Sequence, residues 1–100
     1  MVNRCIIVWT KRSQQHMREA FEYISNDSPK NASRVLDDII EAANKAIPNP
    51  EIYAADKNKI NNDGSYRAFV KHHYRVSYRI TKNIIRILRV RHTSREPELY

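Results

Sequence analysis

Residues 66–91, YRAFVKHHYRVSYRITKNIIRILRVR, decide the fold. Two short breaks, His72-His73 and Lys82-Asn83, divide this stretch into three runs rich in β-branched and aromatic residues. Runs separated by only two residues predict an antiparallel meander of three strands: Ser65–Lys71, Tyr74–Thr81 and Ile84–Arg91. Alternation sorts their side chains. Tyr66, Ala68 and Val70 share one face of the first strand; Arg67, Phe69 and Lys71 share the other. Tyr74, Val76, Tyr78 and Ile80 oppose Arg75, Ser77, Arg79 and Thr81 in the second. In the third, Leu88 and Val90 read as buried, with Ile85, Ile87, Arg89 and Arg91 opposite. If the apolar faces turn inward, Arg67, Lys71, Arg75, Arg79, Arg89 and Arg91 gather on one open surface, with Phe69 and Ile87 among them.

Upstream of the meander, Val2–Trp9 reads as a strand. Its run Ile6-Ile7-Val8-Trp9 has no polar break, the pattern expected of a strand covered on both faces. Thr10 can cap a helix over Lys11–Asn26, with Ser13, Met17, Ala20, Phe21 and Ile24 on one face. Asp27-Ser28-Pro29 ends that helix and starts another: Ser28 suits the cap and Pro29 the first helical position. The second helix carries the stripe Ala32, Val35, Leu36, Ile39, Ile40, Ala43 and Ile47 and stops at Pro48 and Pro50. Residues 48–64 form a polar connection. The order β-α-α-β-β-β predicts one α+β domain over residues 1–100, a helical hairpin packed on one face of a small, mainly antiparallel sheet.

Charge is distributed unevenly along the chain. Residues 1–64 hold nine Lys/Arg against nine Asp/Glu. Residues 65–100 hold nine Lys/Arg against Glu96 and Glu98, so the whole net charge of +7 sits there. Seven of those nine cations are Arg, whose planar fork suits bidentate phosphate contacts. A solvated sheet face normally mixes signs; this one is nearly pure, which points to a polyanion partner, nucleic acid first, and a nucleic-acid-binding module without toxicity is one reading of the chain.

Other classes find little support. Cys5 has no second cysteine to pair with and reads as a structural thiol in an apolar strand. No metal-ligand spacing, phosphate loop or nucleophile elbow is present, so no metal or cofactor is expected. The apolar runs are too short to span a bilayer and no signal peptide is legible, which places the chain in the cytoplasm. His72, His73 and His92 lie near the basic strands. They offer acid–base chemistry on a phosphodiester, but His72 and His73 read first as hairpin-turn residues.

The strand Tyr74-Arg75-Val76-Ser77-Tyr78-Arg79-Ile80, the ending Ile87-Leu88-Arg89-Val90-Arg91-His92…Arg95 and the element order resemble the RelE/ParE superfamily of type II toxin–antitoxin toxins. The resemblance covers essentially the whole chain. It implies a RelE/ParE-like fold, an acidic antitoxin as partner, and one of two activities. RelE-like members act with the ribosome and cleave mRNA; ParE-like members inhibit DNA gyrase without catalysis. The RelE-like activity is the leading expectation. Under it, the resemblance gives catalytic roles to Arg67, Arg75, Arg95 and Tyr100. Lys71, Arg79, Arg89, Arg91 and His92 fall to substrate binding. The chain departs from RelE at Phe69, where RelE has a catalytic Lys, which leaves Lys71, His72 or His92 to supply a base.

Overall fold

The computed structural model describes residues 5–95 and 97–100. The expected start of the first strand, Val2–Arg4, lies outside them. The elements are β1 (Ile6–Trp9), α1 (Lys11–Ser25), α2 (Pro29–Asn44), β2 (Tyr66–Lys71), β3 (Tyr74–Thr81), β4 (Ile84–His92) and a 3₁₀ turn, Thr93–Arg95. The four strands form one sheet in the order β1-β4-β3-β2. β1 runs parallel to β4, while β2, β3 and β4 form the antiparallel meander. The helical hairpin covers one face, so the fold is the expected α+β arrangement. Among the described residues, no helix is long and apolar enough to cross a membrane.

Both helix caps form as the sequence indicates. Thr10 Oγ1 accepts from the Ser13 N–H (3.1 Å) and donates to the Ile87 carbonyl (2.8 Å), tying the start of α1 to β4. Ser28 Oγ accepts from the Asn31 N–H, and Pro29 opens α2. Ala32, Val35, Ile39, Ala42 and Ala43 of α2 are buried, as are Met17 and Ala20 of α1. They pack on Phe69, Val76, Tyr78, Ile85, Ile87 and Val90 of the sheet. Each large aliphatic side chain among these contributes roughly 1.5–3 kcal/mol by leaving water.

Three expectations about the sheet are corrected. First, β1 is an edge strand rather than one covered on both faces. Ile7 and Trp9 pack on the core, but Ile6 is 59% exposed and Val8 38%. Second, β2 is turned over relative to the expected orientation. Phe69 pairs with Val76 and Arg67 with Tyr78, so Arg67, Phe69 and Lys71 face the helices. Tyr66, Ala68 and Val70 lie on the open face instead. Third, β4 carries a bulge. Ser77 pairs with Arg89 while Tyr78 pairs with Ile87, leaving Leu88 as the extra residue. One added residue reverses the alternation. Ile85, Ile87 and Val90 therefore all enter the core, while Arg89 and Arg91 stay on the open face.

The His72-His73 link is a tight hairpin turn with both residues at positive φ (51° and 67°), as the two-residue turn suited to strand twist requires. His72 Nε2 also meets Asp38 Oδ2 of α2 at 2.6 Å, pinning the turn to the helices. Both histidines thus have a structural role in the turn.

His16 of α1 accepts the Val90 N–H at Nδ1 (3.0 Å), where β4 has run past the end of β1. Burial, then the cation Arg12 with smaller effects of Arg91 and Arg89, lowers its pKa below 6.5; Glu19 opposes this. The folded chain thus binds this proton less readily than the unfolded one. As pH falls through about 6.5 the unfolded state takes it up first, and stability falls until the pH passes the folded value. The urea midpoint should therefore drop as pH falls from about 7.5 through about 6.5, and His16→Gln should flatten that drop. An unchanged pH profile in the variant would remove His16 as the cause.

Candidate functional site

The open sheet face is where the charge pattern places a site, but the chain itself covers much of it. The connection after α2 first runs on the helix side. There the Tyr78 hydroxyl donates to the Pro50 carbonyl (2.7 Å) and Tyr53 packs on Phe69, ring centroids 4.6 Å apart. Burial pushes the Tyr78 pKa up to about 12, so it remains a donor. The connection then pairs with the outer edge of β2. Ala55 bridges Arg67, the Asp56 N–H donates to Tyr66 O (2.8 Å) and the Ala68 N–H to Ala54 O (3.2 Å). Beyond that edge it turns onto the open face and delivers Asp56.

Asp56 is 1% exposed and collects donors. Arg75 Nη2 donates to its Oδ1 (2.7 Å), as does the Asn58 N–H (3.0 Å); the Tyr100 hydroxyl donates to its Oδ2 (2.6 Å). Burial alone would raise the Asp56 pKa, but the hydrogen bonds from Tyr100, Arg75 and Asn58 outweigh it and hold the carboxyl below 3.8. Burial, then the bond to Asp56, pushes the Tyr100 pKa well above 10, so the phenol keeps its proton. The group is a buried ion pair in which both carboxylate oxygens are hydrogen-bonded, while Arg75 Nε has no partner among the described residues.

The C-terminal residues lie over the same face as a strap. Arg89 stacks on the Tyr100 ring with its guanidinium carbon 4.0 Å from the centroid. Its Nη2 donates to the Glu98 carbonyl (2.6 Å), and Arg91 pairs with the Glu98 carboxylate (2.8 Å). The backbone of Tyr100 bonds Asn58 and Ile60 in both directions. The near-pure cationic field of the sequence is thus partly neutralised in space by Asp56 and Glu98, both from outside the meander. Arg79, stacked on Tyr66, reaches the Asp63 carboxylate only through Ser65, and Arg86 on β4 makes no ion pair among the described residues.

The residues singled out from the sequence therefore separate into three places. Arg75 and Tyr100 converge on Asp56. Arg67 lies on the helix side, where its guanidinium holds the Glu51 side chain and the Tyr53 and Gly64 carbonyls. Lys71 is on that side too, exposed at the end of β2. Arg95 is exposed and lines a cleft beside α1. His92 Nδ1 caps the 3₁₀ turn by accepting the Ser94 N–H (3.1 Å). Phe69, 7% exposed, is in the core, so that position does not present a side chain to the open face. Sequence reasoning missed Asp56 and Glu98. Their signal was the lack of any carboxylate within the meander to balance its arginines. Among the described residues no cluster of three or more His, Cys, Asp or Glu is placed to hold a metal.

This architecture has known counterparts. The sequence profile of the family described as "ParE toxin of type II toxin-antitoxin system, parDE" matches residues 7–97. The chain belongs to this ParE toxin family. A solved structure described as the chromosomal ParDE TA system from P. aeruginosa superposes with a TM-score of 0.75 at 16% identity. The match covers 91% of this chain and 98% of that one, and at this identity it speaks to the fold. No curated protein sequence matches the chain significantly.

Proposed function

We propose that this toxin acts without catalysis, as a ParE-like inhibitor of DNA gyrase held in check by an acidic antitoxin. The observation that carries this reading is the state of Arg75. Its Nη2 is committed to a buried carboxylate, and of the RelE-like set only Tyr100 shares that carboxylate, while Arg67 lies on the helix side and Arg95 at the cleft beside α1. A general-acid/base or charge-stabilising set must converge on one reacting phosphate. Membership of the ParE family supports the same direction. The antitoxin's acidity follows from the chain's charge of +7. Such a partner would fold onto the toxin as it binds.

The test pairs two assays. Purified protein should stall supercoiling by gyrase, and ribosome-bound mRNA should show no new 5′ ends by primer extension. Expression alone should arrest growth, and a co-expressed acidic partner should restore it. New mRNA ends with unimpaired supercoiling would favour the RelE-like reading, with Arg75 and Tyr100 of the Asp56 cluster as its core.

A further inference from the structure

A second concave site lies away from the open face, between α1 and the end of the sheet, with a volume of about 530 Å³. It exists because β1 pairs with β4 only as far as Ile87, after which the chain turns into α1. The rest of the β4 edge is met by side chains of α1 rather than by another strand. His16, Glu19, Ala20 and Tyr23 follow one another at helical spacing along this wall. The facing wall is Tyr74 and Val90, and the 3₁₀ turn adds Ser94 and Arg95 at the rim.

The polar groups here are arranged as donors. His16 uses Nδ1 to accept the Val90 N–H, so its neutral ring carries its proton on Nε2 and offers a ring N–H to the cleft. Arg95 has no carboxylate partner among the described residues, and its charge is felt at the Tyr74 phenol. Burial raises the Tyr74 pKa, so that phenol is protonated at neutral pH. Against these donors stands one carboxylate, Glu19, drawn towards Gln15 Nε2 (3.3 Å). Tyr23 is 71% exposed, a large flat ring left in water at the mouth.

We propose that this cleft binds a nucleoside phosphate. Arg95 and the His16 Nε2–H hold the phosphate, the base stacks on Tyr23, and Glu19 accepts from an amino or hydroxyl group of the ligand. Guanidinium–phosphate contacts are among the stronger charge-assisted hydrogen bonds, and an exposed aromatic ring accepts any base by its π-face. The volume suits a ligand of this size. The cleft does not include Asp56 and does not depend on the gyrase reading; it is lined also by Arg91, which Glu98 of the strap holds, and it shares Arg95 with the RelE-like set.

The experiment titrates the full chain with AMP, GMP and CMP and, separately, with inorganic phosphate, read by calorimetry and by amide chemical shifts. We expect saturable nucleotide binding that shifts His16, Tyr23 and Ser94. Arg95→Ala should weaken it by roughly tenfold or more. Tyr23→Ala should weaken the nucleotides while leaving phosphate affinity unchanged. Arg86→Ala, on the opposite sheet face, should leave both unchanged. Arg95, Tyr23 and Arg86 are all exposed, so these variants should fold, which circular dichroism checks. The proposal is overturned by absence of binding at millimolar nucleotide, by loss in Arg86→Ala with none in Arg95→Ala, or by phosphate binding as tightly as nucleotide with Tyr23→Ala silent.

Discussion

Asp56→Ala is expected to lower stability by about 3–5 kcal/mol, because it leaves the Arg75 guanidinium buried with no opposite charge. The substitution also strips the acceptor from the Tyr100 hydroxyl and the Asn58 N–H. Against a total of roughly 5–15 kcal/mol for a domain, this would leave the fold marginal or unfolded at growth temperature. Urea or thermal unfolding checks it; a loss below about 1 kcal/mol would mean that water replaces the carboxylate. Asp56→Asn should be milder, since it keeps an acceptor for the phenol. The wild-type pair is also acid-sensitive in a defined direction. The folded Asp56 pKa lies below the 3.8 of the unfolded chain, so its contribution is complete above that value and is lost as pH falls through the folded value. Asp56→Asn should remove that part of the acid sensitivity.

The same cluster changes how an arginine variant is to be read. Arg75→Ala leaves a buried carboxylate with two donors rather than three, so it destabilises the fold as well as removing a cation. Loss of toxicity in Arg75→Ala is a statement about catalysis only if the variant is shown to stay folded. Arg86→Ala is the cleaner probe of the open face, since that cation pairs with no carboxylate among the described residues, and Arg79→Ala is the next, its guanidinium reaching Asp63 only through Ser65.

The parts of the fold set by local chemistry were legible in the sequence. Thr10, Ser28 and Pro29 mark helix starts through groups that act within three residues, and they sit where expected. The meander follows from two two-residue turns. The face assignments failed where information was non-local. Leu88 is one apolar residue among five in β4, and nothing in its neighbours marks it as the bulge. β2 has apolar residues on both faces, so alternation could not choose; the choice falls to Tyr53, which reaches Phe69 from a polar connection. β1 reads as doubly covered because its exposed face is Ile6 and Val8, apolar side chains left in water. The site was legible as an excess of arginines and no further. Which of them stay free is decided by Asp56 and Glu98, which approach the sheet from the connection and from the tail.

Tyr100→Ala is expected to cost about 3 kcal/mol, combining loss of a half-buried aromatic ring, its contact with the Arg89 guanidinium and its bond to Asp56. Tyr100→Phe keeps the ring and should cost about half as much, the worth of one hydrogen bond to a charged group. The functional consequence runs opposite to the structural one. Releasing the strap frees Arg89 and Arg91 from Glu98 and opens the cationic face to water. Nonspecific RNA or DNA binding should then strengthen, and log affinity should fall more steeply with log salt, by about one to two units of slope for two newly available cations. If Tyr100 instead stacks on a base, the substitution should weaken nucleic-acid binding, with Tyr100→Phe retaining it. The two roles therefore predict opposite signs in one titration. A toxin whose C-terminal strap shields its own arginines should gain anion affinity as it loses stability, and a toxin that uses Tyr100 on its substrate should lose both.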